Sequence, residues 1–134
     1  MAMNLMKQSI GPHEGQELEL MKAGTKPLSM FIEEVPSSEA YFPENEFDLL
    51  VSEGKLVKYV SMEIIIGSDG QSRDFRRILY SLPSEQWRIR SILLVQEIYL
   101  SSRSGWHPDL DRIIGALLGY EAEDVECFVS RHQS

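Results

Sequence analysis

Apolar residues along this chain change period several times, and each change marks the border of an element. Leu28–Val35 is mostly Leu, Met, Phe, Ile and Val and lies between Pro27 and Pro36, which predicts a strand. Leu56–Ile66 and Arg73–Leu82 predict two more, joined by Gly67-Ser-Asp-Gly-Gln-Ser. Asp69-Gly70 in that joint supplies the positive φ that a tight hairpin needs. From Met62 to Ile66 the first arm is apolar apart from Glu63, so part of it is expected to be buried on both faces.

Helical spacing appears elsewhere. Pro12 to Ala23 predicts a first helix, with Glu14 and Glu17 toward its positive end and Gly24 as its stop. Its thin apolar face (Leu18, Met21 and Leu20) places it on the surface. Pro43 opens a second helix with Phe47, Leu50 and Val51 at i, i+3, i+4, and Gly54 ends it. A strand, a helix and a strand in succession suit a right-handed parallel crossover. Pro83-Ser84-Glu85 reads as a helix start with Ser84 as the cap. In Gln86–Leu100, Trp87, Ile89, Leu93 and Val95 alternate as in a strand, while Ile92, Val95 and Tyr99 repeat as in a helix. Length and cap favour a helix, apolar almost all round and therefore central. Pro108 begins another, with Leu110, Ile113, Ile114, Leu117 and Leu118 as its core stripe, and Gly119 stops it. Ala122–Arg131, with Val125, Phe128 and Val129, completes a helical hairpin.

The expected fold class is α+β: a small three-stranded sheet, mixed or antiparallel, with a central hairpin. About five helices, including the C-terminal helical hairpin, cover it. Residues 1–11 have no period and are expected to be a flexible N-terminus. Residues 12–134 make a single domain, within the common size of about 100–150 residues.

Charge changes the picture along the chain. The whole carries −8, yet all eight arginines lie between Arg73 and Arg131 and all five lysines between Lys7 and Lys58. Residues 70–120 hold 7 Arg against 5 acids, while residues 1–69 hold 12 acids against 5 Lys. An acidic chain makes nucleic acid an unsuitable partner, since that binding rests on neutralising phosphates. Acidity chiefly serves solubility, and could also mask the site of a basic protein. One cysteine, Cys127, forms no internal disulfide, which favours a reducing compartment. No apolar run approaches the roughly 20 residues of a membrane helix. The N-terminus shows no basic lead followed by a long apolar stretch. The expected location is the cytoplasm, with no membrane partner.

Candidate chemistry is sparse. His13, His107 and His132 are far apart, and Cys127 has no CxxC partner, so no metal and no cofactor are expected. His107 with Asp109 and Asp111 reads as a helix entry, with acids in the first turn. Cys127 sits among acids, which weaken a thiolate, and is read as packing. Gly-x-Ser-x-Gly and Gly-x-x-x-x-Gly-Lys are both absent, so no catalytic residue is assigned. Glu33 and Glu34 point to opposite faces of a strand and read as a solvated strand end.

Arg73, Arg76 and Arg77 crowd into five residues, with Arg73 and Arg77 on one strand face and Arg76 on the other. They form either internal pairs, with Glu63 among the acids, or an anion- and partner-binding strip. Tyr41, Phe42, Trp106 and Tyr120 fall in or beside loops, where an aromatic anchors an interface or staples a helix. The candidate binding set is therefore Arg73, Arg76, Arg77, Trp106 and His107. The leading expectation is a non-enzymatic protein-binding or adaptor module whose partner is another protein, a homo-oligomer included. A small-ligand-binding domain or enzyme, with a pocket between the sheet and the helix over 84–100, is the second. An acidic neutraliser of a basic toxin or nuclease is the third.

Overall fold

In the computed structural model, which describes residues 12–35, 42–101, 105 and 107–132, β1 (Leu28–Val35) is followed by a helix and a long hairpin. The hairpin arms are β2 (Val57–Ile66) and β3 (Ser72–Ser81), and Gly70 at its tip has φ 80°. The sheet order is β1-β3-β2, antiparallel at both junctions. β1 and β2 therefore run parallel to each other with β3 inserted between them, so the crossover spans a strand. Five helices accompany the sheet among the described residues: α1 (Glu17–Lys22), α2 (Glu44–Ser52), α3 (Trp87–Ser101), α4 (Pro108–Leu117) and α5 (Ala122–His132). The three strands and the α+β class are as expected.

Strand alternation gives the sheet two different cores. On the front face, Phe31, Ile78 and Tyr80 pack with Met21 of α1, Phe47 and Leu50 of α2, and Phe42 and Leu56 beside α2. Phe31 stacks on Phe42 with ring centres 4.1 Å apart, and Phe47 stacks on Tyr80 at 4.5 Å. On the back face, Leu28 and Leu79 meet Ile89, Ile92 and Tyr99 of α3 and Ile114 and Leu117 of α4. α5 packs against α4, where Gly115 lets Val125 approach; a Cβ at Gly115 would fall 2.6 Å from Val125 Cγ2.

Several elements depart from the sequence expectation. Residues 12–16 form turns and α1 begins only at Glu17, because Gly15 takes φ 77°, outside helical backbone. Residues 83–85 are a 3₁₀ turn with no side-chain cap hydrogen bond, so Ser84 does not cap. α3 is not central. Ile89, Ile92, Gln96 and Tyr99 form one buried stripe, while Trp87, Leu94, Ile98 and Leu100 are exposed, with no element among the described residues covering them. Ile113 is likewise exposed, unlike Ile114, Leu117 and Leu118. Cys127 is exposed and is not part of the packing.

The largest departure is β2. Val60, Met62, Ile64 and Ile66 all lie on its front face and are 42%, 59%, 73% and 72% exposed. The cause is length. Nine-residue α2 spans about 13 Å, whereas ten-residue β2 spans about 33 Å. α2 sits over the Lys58 end, where Lys58 pairs with Glu44 at 2.9 Å and Asp48 at 2.8 Å. The far half of the strand runs out beyond it.

Candidate functional site

The hairpin positions all three clustered arginines, and the register separates them as the alternation requires. Arg76 faces front, donating from Nε to Glu33 at 2.9 Å and from Nη1 to Glu44 at 3.0 Å. Glu44 is held below the ordinary carboxylate range, first by Arg76 and also by Lys58. Glu44 and Asp48 tie that group to Lys58, and Asp48 accepts the Tyr80 hydroxyl at 2.9 Å. Arg73 faces back at the hairpin tip, 2.8 Å from Asp69 and 3.7 Å from Glu34. Arg77 also faces back and is 4% exposed, with Nη2 2.8 Å from Glu63 Oε2. Glu33 and Glu34 are thus each beside an arginine of β3. His107 stands just before α4, half-buried, with its ring edge-on to Tyr99 at 5.5 Å and its backbone N–H donating to the Tyr99 hydroxyl at 3.3 Å. It lies on the helical side, apart from the arginines. Trp106 and Tyr41, like residues 1–11, are outside the described residues. Among the described residues no three His, Cys, Asp or Glu side chains are grouped to hold a metal, and no helix is long and apolar enough to cross a membrane.

Arg77 lies in a cleft. α3 crosses the back of β2 and β3, leaving an open space of about 570 Å³ lined by Tyr59, Ser61, Glu63, Arg77, Leu93, Gln96, Glu97, Leu100 and Ser101. That volume falls within the roughly 300–1,000 Å³ of small-molecule sites. Ser61 is the cross-strand neighbour of Arg77, and Glu63 lies diagonally along the same face. The 2.8 Å approach of Arg77 to Glu63 is close but not aligned as a hydrogen bond. Ser61 Oγ, Glu63 Oε2 and Arg77 Nε are buried with no hydrogen-bond partner among the described residues. Each such group costs roughly 1–3 kcal/mol when unsatisfied. Burial pulls the Arg77 guanidinium below its ordinary range, and the Glu63 charge opposes this.

A second unusual cation is Lys26, 2% exposed in the loop between α1 and β1. Its Nζ donates to the Leu118 carbonyl at 2.6 Å, sits 2.9 Å from His13 Nδ1, and lies 4.7 Å from the centre of the Tyr120 ring. Desolvation lowers its pKa to about 7, with Glu17 opposing. Arg88 reaches the same helix end, donating to the Ala116 and Leu117 carbonyls at 3.1 Å each. Lys26 and Arg88 therefore both donate to carbonyls at the C-terminal end of α4, where helical partners run out.

Sequence reasoning missed Lys26, Tyr59, Ser61 and Gln96. For the cleft there was one signal: Glu63 interrupts an otherwise apolar run, and a lone acid there needs a partner. Lys26 gave none, because what buries it is 92 residues away. Searches against protein-family models, curated proteins and solved structures find no match to this chain.

Proposed function

We propose that this protein is a non-enzymatic protein-binding module that works by strand addition at the free edge of β2, and that the strand it accepts is β2 of a second copy. The observation that carries this is the apolar row of Val60, Met62, Ile64 and Ile66 on a strand that, among the described residues, is paired on one side only. Edge strands in soluble proteins are ordinarily protected by proline, a bulge or inward-pointing charge. β2 contains no proline, Lys58 is engaged by Glu44 and Asp48, and Glu63 by Arg77. The arginines proposed from sequence are each beside acids of their own chain, and the front of β2 is left apolar from Val60 to Ile66, with exposed Asp74 of β3 opposite Ile64.

The strand is complementary to itself. In antiparallel pairing centred on Met62, Val60 meets Ile64 of the second copy, and Glu63 meets Ser61. Shifting the centre to Glu63 would set two carboxylates opposite each other, which is unfavourable. Edge pairing sets the rows of the two copies side by side and covers only part of each, which is small against the roughly 1,200–2,000 Å² of a standard interface. Backbone pairing adds to it, and the dimer is weak. Two chains of −8 repel each other, so salt should strengthen the association, whereas a basic partner would be released by it.

Sedimentation across a concentration series tests this. Wild type should pass from monomer to dimer with a midpoint that falls as salt rises. Ile64→Lys should remain monomeric with unchanged thermal stability. A chain that stays monomeric throughout, or an Ile64→Lys variant that still dimerises, removes the proposal.

A further inference from the structure

The cleft beneath α3 lies on the opposite face of the hairpin from the apolar row; Ser61 and Glu63 on its β2 wall are also residues that edge pairing would set opposite each other, so the site is that of the monomer. We infer that it is a binding site for a small uncharged molecule that presents an amide, a carbonyl oxygen beside an N–H, on an apolar body. Three buried atoms set the polar half of that description. Arg77 Nε calls for an acceptor, Glu63 Oε2 calls for a donor, and Ser61 Oγ serves as either. A carboxamide offers acceptor and donor side by side on one planar group, which matches an Arg beside a Glu. The Tyr59 ring, Leu93 and Leu100 line the same space and supply apolar walls.

Charge decides between an amide and an anion. The Glu63 carboxylate lies against the guanidinium and cancels it, and Glu97 adds a further acid to the lining. A carboxylate or phosphate entering there would gain Arg77 but would be set against Glu63 and Glu97. An uncharged ligand meets no such opposition, and specificity of this kind rests as much on repulsion as on contact. Arg77 is too deeply placed to act as a surface charge. Its exposure of 4% makes it a fixed donor at the cleft floor.

The test uses benzamide as the amide probe and benzoate as its isosteric anion, titrated into the intact ¹⁵N-labelled chain. The Arg77 Nε–H resonance and the Ser61 and Gln96 amides should shift saturably with benzamide. Benzoate should bind at least about fivefold more weakly. Glu63→Gln removes the opposing charge and should reverse the order, with benzoate then the tighter ligand. Leu100→Trp, which fills the cleft from a site that is exposed, should weaken benzamide at least about threefold. Ile64→Lys, compared at a concentration where wild type is also monomeric, should bind benzamide as wild type does, which keeps failure of the cleft separate from failure of strand addition. Absence of a saturable shift up to the solubility limit overturns the inference. So does benzoate equal to or tighter than benzamide in wild type, and that comparison stands even where a variant fails to fold.

Discussion

Lys26→Met should change how stability depends on pH. In the folded chain burial brings the Lys26 pKa from 10.5 to about 7, and an unfolded lysine titrates near its ordinary value, about 10.4. Below pH 7 both states hold the proton, and the folded state bears the whole penalty of a buried charge. Between about 7 and 10.5 the unfolded state holds the proton and the folded state does not, so stability rises with pH. The slope is at most about 1.4 kcal/mol per pH unit, and over the full window the gain is about 5 kcal/mol. That is a large share of the roughly 5–15 kcal/mol of a typical domain. Methionine fills similar space without titrating but gives up the 2.6 Å bond to Leu118 and the contact with the Tyr120 ring. Urea unfolding followed by circular dichroism at pH 6, 8 and 10 should show wild type gaining on the variant across that range. The variant should be at least as stable as wild type at pH 6 and less stable at pH 10. Parallel curves for the two proteins would show that Lys26 keeps an ordinary pKa, and the reasoning from its burial would be wrong.

Arg73 and Arg77 share a strand face but should behave oppositely. Arg73→Ala, at the exposed hairpin tip, should cost less than about 0.5 kcal/mol. Arg77→Ala should cost about 3 kcal/mol by leaving Glu63 without its buried partner, as chemical denaturation of each variant would report. Gly119→Ala should cost more than about 1–2 kcal/mol, the left-handed backbone penalty alone. Gly119 has φ 82°, and an added Cβ would lie 2.5 Å from Pro27 Cδ. Calorimetry should show a marked fall in Tm, and a fall of only a degree or two would contradict that geometry.

Local chemistry made the elements legible. Two prolines bound β1, an Asp-Gly turn the hairpin, and Gly24, Gly54 and Gly119 the ends of helices at positive φ. Coverage was not legible. The run from Met62 to Ile66 resembles a strand buried on both faces, because hydrophobicity records affinity for a core and not whether a helix is long enough to provide one. The same limit misplaced α3 and Ile113, each apolar on a side that no element among the described residues covers. The candidate site divided in the same way. Alternation placed Arg73 and Arg77 on one face and Arg76 on the other, as the register has them. That Arg77 is buried and Arg73 is not depends on where α3 crosses the hairpin, which no local pattern encodes.

The inserted strand also constrains the order in which the sheet can be assembled. β2 and β3 are joined by a short turn and can pair as soon as both exist. β1 must wait, because its partner Ser81 lies 53 residues beyond Leu28. During synthesis, β1, α1, α2 and β2 all leave the ribosome before β3 is present, and β1 has no strand to join. The hairpin should therefore pair first and β1 join it afterwards, with the entropy of closing that long loop falling on that later step. Until then both sides of the hairpin are open, so the interval in which a nascent chain is most exposed to wrong strand partners ends when β1 docks.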